Sequence, residues 1–135
     1  MKAAAFVLPL LALAVPAVAA PSEPIRIELN AVTPAQNQCR LSFVIENKAA
    51  RPLSSLKLDL VLFGRDGVID RRLVAEMGPL RSTKTMVKTF EVDGSCAALG
   101  SILVNDVTAC APDDASACLG RLDLKSRIPD VRLFK

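Results

Sequence analysis

Apolar and polar residues alternate along most of this chain with a period of two. Ile25, Ile27 and Leu29 are separated by Arg26 and Glu28, and Leu41, Phe43 and Ile45 are separated by Ser42 and Val44. Successive side chains of a strand point to opposite faces, so this period predicts strands with one buried face. The clearest case is Leu56, Leu58, Leu60 and Leu62, which share one face. Lys57 and Asp59 open the other face, which turns apolar at Val61 and Phe63. Leucine alone would also suit a helix, but charges at 57 and 59 would break the 3.6-residue stripe that a helix needs.

Turn residues punctuate the pattern. Gly64-Arg65-Asp66-Gly67 predicts a tight turn, because Gly adopts positive φ without steric cost. The next strand runs from Val68 to about Met77, and its alternation slips near Arg71-Arg72, which a bulge would reconcile. Gly78 to Ser82 is a turn. Met86, Lys88, Phe90 and Val92 then oppose Thr85, Val87, Thr89 and Glu91 in a further strand. Cys96 to Gly100 fits one short helical turn, and Ser101 to Cys110 a strand that is irregular at Asn105-Asp106. Residues 30–38 around Pro34, 47–52 and 111–118 read as connections. Leu122 and Leu124 start a last strand, broken at Ile128-Pro129-Asp130 and resumed by Val131, Leu133 and Phe134.

The first twenty residues follow another rule. Lys2 is the only charge before Glu23, and Ala3 to Ala20 is apolar, ending in Ala17-Val18-Ala19-Ala20. A basic start, an apolar core and small residues at the end predict a signal peptide over 1–20, cleaved after Ala19 or Ala20. Pro9 and Pro16 make the segment a poor membrane span. The expected mature chain, 21–135, is about 115 residues and one domain. An export signal of this kind points to the periplasm, with full secretion as the alternative.

Composition narrows the chemistry. The 135 residues include no His, Trp or Tyr, and the formal net charge is only +3. Without His, Ser-His-acid and Cys-His nucleophiles cannot be built, and the usual imidazole ligand and neutral-pH switch are missing. The scattered basic residues, with only Phe for stacking, do not make a nucleic-acid surface. Ser-Lys pairs within Ser54-Ser55-Leu56-Lys57 or Ser82-Thr83-Lys84 read as ordinary polar surface. Asp106, Asp113, Asp114 and Asp130 follow no Ca²⁺-loop spacing. No catalytic, cofactor-binding or metal-binding residue is therefore expected. A buried Asp106 would need a partner.

Seven short strands separated by turns predict an all-β, immunoglobulin-like two-sheet β-sandwich, with a small barrel as the alternative. Cys39, Cys96, Cys110 and Cys118 form an even set, expected to close two disulfides in an oxidising compartment. In the immunoglobulin-like topology the second and fifth strands are antiparallel neighbours, which favours Cys39 with Cys96. The sixth and seventh are too, which favours Cys110 with Cys118. The rival scheme pairs Cys39 with Cys110 and Cys96 with Cys118.

Three motifs repeat a known pattern: Leu41-Ser42-Phe43-Val44-Ile45-Glu46-Asn47, then Leu58 to Phe63 closing on Gly64-Arg65-Asp66-Gly67, then Gly78 to Lys84 followed by Phe90. In these the stretch from Cys39 to Val92 resembles the FxLYD-like immunoglobulin-like modules of exported bacterial proteins. The Cys pairs and the segment before Cys118 depart from that pattern. The whole chain also resembles short periplasmic proteins of alphaproteobacteria. The resemblance implies a sandwich and supplies no catalytic residue.

The expected function is a non-catalytic module that contacts a protein partner in the periplasm. The alternatives are an assembly factor or chaperone-like holder, and a small-ligand carrier or enzyme. Val61, Phe63, Arg71 and Arg72 are the candidate contact surface, with Leu53 beside the apolar pair. Sheet-edge pairing is the other mode of contact. On a strand Arg71 and Arg72 diverge, so one patch would require a bulge or an edge to re-aim one of them.

Overall fold

The computed structural model describes residues 14–17 and 22–135. The expected cleavage points after Ala19 and Ala20, and most of the 1–20 signal segment, lie outside the described residues. Two four-stranded sheets pack face to face. The first holds β1 (Ile25–Ala35), β2 (Gln38–Asn47), β5 (Lys84–Asp93) and β7 (Leu122–Ser126), in the order β5-β2-β1-β7. The second holds β3 (Lys57–Gly64), β4 (Ile69–Glu76), β6 (Leu99–Ala109) and β8 (Arg132–Phe134), in the order β4-β3-β6-β8. The chain is an all-β sandwich.

The core follows the alternation. Ile25, Ile27, Leu29, Leu41, Phe43, Ile45, Leu58, Leu60, Leu62, Ile102 and Val104 are each at most 2% exposed and belong to one cluster. At about 25 cal/mol per Å² of apolar surface, burial of such side chains is the main favourable term holding the sheets together. The Asp66-Gly67 turn forms as expected. Gly67 takes φ 79°, its N–H donates to the Gly64 carbonyl, and Asp66 accepts from the Val68 N–H.

Both disulfides are closed, Cys39 to Cys96 and Cys110 to Cys118. Cys39 lies at the start of β2, beside the end of β5, where Cys39 pairs with Val92. Cys96 follows in a 3-10 turn, Cys96–Ala98. This is the neighbour relation that favoured the pair. Closed disulfides mark a folded chain outside the cytoplasm. No helix among the described residues is long and apolar enough to cross a membrane.

Several local expectations are corrected. The described residues form eight strands, because the last expected one splits in two. β7 pairs parallel with β1 in the first sheet, and β8 pairs parallel with β6 in the second. Residues 127–131 cross from one sheet to the other. Pro129 cannot donate to a ladder and Asp130 takes φ 66°, so the strand cannot run through. The segment before Cys118 is partly helical: α1 (Ala115–Arg121) is capped by Asp114, whose carboxylate accepts from the Ser116 N–H. Cys118 is therefore buried on a helix and does not sit in a loop between antiparallel strands. Residues 30–35 continue β1 past a bulge at Asn30, and the turn is only Gln36-Asn37.

Candidate functional site

The candidate contact residues separate in the structure. Leu53 is 1% exposed in the core, held by an isolated bridge to Leu80. Val61 lies on the outer face of β3, outside the core cluster, yet is only 6% exposed. Its cross-strand partners Arg72 and Leu103 flank it on either side. Phe63 is half-buried beside Ile69. Val61 is thus largely covered by its own sheet neighbours. Arg71 and Arg72 also diverge, because the bulge falls one residue earlier than expected, at Asp70. Arg72 joins the outer face, while Arg71 pairs with Leu62 on the inner face. They form no common patch.

The outer face of the second sheet is organised around Asp59, whose side chain is 5% exposed. Arg72 donates from Nε to Oδ1 at 2.7 Å and from Nη2 to Oδ2, a bidentate grip. Asn105 donates to Oδ2 at 2.7 Å. A second bulge makes this possible: Asp59 pairs with Asp106 and Leu60 with Val104, leaving Asn105 as the extra residue. The bonds from Arg72 and then Asn105 hold the Asp59 carboxyl below the ordinary value, against the opposing effect of burial. Asp106 is exposed and caps the Val107 N–H.

Several of the other polar candidates are also engaged in structure. Ser54 donates to the Ala111 carbonyl and Ser55 to Glu76, so neither hydroxyl is aimed at Lys57. Asp113 accepts from Arg121 at 2.9 Å and pairs with Arg51 at 3.2 Å. Among the described residues no group of three or more Cys, Asp or Glu could hold a metal ion. A concavity of about 670 Å³ is an open depression near β8 holding Arg65, Lys125, Asp130 and Arg132. Arg65 is committed to the Ala97 carbonyl and Arg132 stacks on Phe134 at 4.6 Å.

What the fold does leave open is sheet edge. Four strands are edges: β4, β5, β7 and β8. β7 has five residues and β8 three, too few to template much pairing. β4 is broken by its bulge and charged at Asp70, Arg71 and Arg72. β5 is different. It pairs with β2 over all ten residues, with no register shift and no proline. In an antiparallel ladder every second residue of an edge strand turns its N–H and C=O outward. β5 therefore presents a long, regular row of free donors and acceptors.

The side chains of β5 fit this exposure. Thr85, Val87, Thr89 and Glu91 face outward, and Val87 is 64% exposed. Met86, Lys88, Phe90 and Val92 face inward but are only half-buried. Phe90 sets its edge on Phe43 at 6.0 Å. Between β5 and β4 the sandwich narrows to a cavity of about 130 Å³, lined by Leu62, Arg71, Val92, Gly94 and Leu99. Sequence reasoning could not identify β5 as an edge. The one available signal was Lys88, a charge inside an otherwise apolar stripe. No known protein family, curated protein or solved structure matches the chain.

Proposed function

We propose that the protein is a non-catalytic periplasmic module that contacts another protein by adding a strand to the β5 edge. The observation that carries this reading is ten residues of regular, proline-free edge beside an incompletely covered core. Strand addition draws affinity from main-chain hydrogen bonds and specificity from alternate side chains. The export-like N-terminus and the two disulfides support the periplasm over the cytoplasm. The lack of His in the sequence supports a binding role over a catalytic one.

A photo-crosslinking amino acid placed in living cells at Val87 or Thr89 on β5, and at Asp123 or Lys125 on β7, tests the reading. Adducts of one discrete mass are expected from the β5 positions and none from β7. Equal labelling from both edges, or none from β5, would overturn it.

A further inference from the structure

Resting on the reading of β5 as the contact edge, we propose that its partner is an extended segment with alternating apolar and acidic side chains, one carboxylate meeting Lys88. A strand laid beyond β5 would place every second side chain over Met86, Lys88, Phe90 and Val92. Three of those four positions ask for apolar cover, because Met86, Phe90 and Val92 pack against the core while only partly buried. The fourth is a cation directly opposite Phe43.

Lys88 has no carboxylate within 4 Å among the described residues. The acids of its own strand are engaged elsewhere: Glu91 lies on the other face, and Asp93 lines the far end of the cavity between β5 and β4. Glu91 pairs with Arg40 at 2.6 Å, and Asp93 accepts from Gln38 at 2.9 Å. Across the flank Arg71 adds a second cation, held only by the exposed Asp70 at 2.8 Å. Along this flank Lys84, Lys88 and Arg71 stand against Asp70 and Asp93, which leaves one more positive than negative charge.

That charge sorts the occupants. A wholly apolar strand would strip water from the ammonium and return nothing. A second copy of β5 would bring Lys84 and Lys88 of two chains onto one face, and like charges across a sheet repel. A strand with Asp or Glu opposite or diagonal to Lys88 gains a charge-assisted bond and keeps the apolar cover. An inward lysine that guards a free edge would then also select what the edge accepts.

The probe is a nine-residue peptide, acetylated and amidated, with Val at the outer alternate positions, Glu at the centre and Thr or Ser between. Its twin carries Lys at the centre. Binding is read by NMR titration and by slowed amide exchange along β5. The Glu peptide is expected to bind about tenfold more tightly than the Lys peptide. The preference should shrink in Lys88→Met and invert in Lys88→Glu, while both variants keep the wild-type amide spectrum away from β5. Equal protection of β5 by both peptides would overturn the acidic partner and leave the edge reading standing. No protection of β5 by either would overturn both.

Discussion

The two flanks of the sandwich are finished differently. On one flank the chain itself crosses between the sheets: residues 127–131 link β7 to β8, and Ile128 and Val131 pack on the core. Arg127 extends the pairing by donating its N–H to the Leu29 carbonyl at 2.9 Å. Lys135 ties the end of β8 to α1 and β7 through the Leu119 and Leu122 carbonyls. On the other flank residues 77–83 cross from β4 to β5 at one end, with Met77 and Leu80 buried in the core, but no strand pairs with the outer edge of β5 and its inward row is only partly buried. A closed flank needs no partner to bury its apolar groups. An open flank with a regular edge has unspent hydrogen-bonding groups and apolar surface together, the combination that recruits another strand.

The largest expected effect comes from the covalent link beside the open flank. Cys39 and Cys96 are 57 residues apart, whereas Cys110 and Cys118, which hold α1 to the end of β6, are 8 apart. In the chain-entropy view the longer loop constrains the unfolded state more. Replacing Cys39 and Cys96 by Ser should cost about 4 kcal/mol, and replacing Cys110 and Cys118 about 2.5 kcal/mol. Urea unfolding of the two double variants measures the difference. An equal loss would mean that local packing around α1, and not loop length, sets the contribution.

Glu76 sharpens the comparison at β4, the bulged edge of the open flank. Its Oε1 accepts from the N–H groups of Leu56 and Gly78, at 2.9 and 2.8 Å, and its Oε2 from the Ser55 hydroxyl. Gly78 has to be glycine here, because a Cβ would lie 2.9 Å from the Leu56 nitrogen. Burial alone would raise the Glu76 carboxyl; the bonds from Leu56, Ser55 and Gly78, with the Lys57 charge, outweigh it and hold the value below 4.5. A depressed carboxyl stabilises the fold above its unfolded value, and the gain is lost as pH falls through the folded one. Glu76→Gln should therefore cost about 1–3 kcal/mol at neutral pH and noticeably less in acid. Unfolding midpoints at pH 7 and pH 3 check it; a loss that does not shrink in acid would assign the cost to geometry and not to charge.

Much of this architecture could be read from residue order. The leucine stripe of β3, the Asp66-Gly67 turn and the alternation of β2 and β5 follow from short-range rules; both cysteine pairs formed as favoured, but Cys110–Cys118 without the antiparallel neighbour relation assumed for it, since β6 and β7 lie in different sheets. What escaped was set by distant partners. The bulge moved from Arg71-Arg72 to Asp70 because the register of β3 decides it, and pattern alone spans both choices. Two strands of five and three residues carry too little period to reveal that they are parallel and in different sheets. α1 is seven residues long, too short for a helical period to show, and its first half fell in the segment 111–118 that read as a connection. Val61 and Phe63 were legible as a second apolar face of β3, but not that Arg72 and Leu103 would flank Val61. Which strand lies at an edge is a property of the assembled sheets, so the candidate site was the least legible part.

The smallest change tests the most specific feature of the open flank. Lys88 is half-buried, lacks an ion pair and sits between Met86 and Phe90. Lys88→Met removes the charge and keeps most of the stem, so stability should move by no more than about 0.5 kcal/mol. Association should move further. Without the ammonium, β5 of one chain can lie against β5 of another with apolar side chains meeting on the inner face and no buried charge left unpaired. Sedimentation velocity over rising concentration should show Lys88→Met dimerising where the wild type stays monomeric. Lys125→Met, the same change on the short edge β7, should leave the chain monomeric. If both variants associate alike, loss of surface charge is responsible and β5 is not special. If neither does, the regularity of β5 is insufficient for pairing, and the difference between the two flanks is one of shape without consequence for binding.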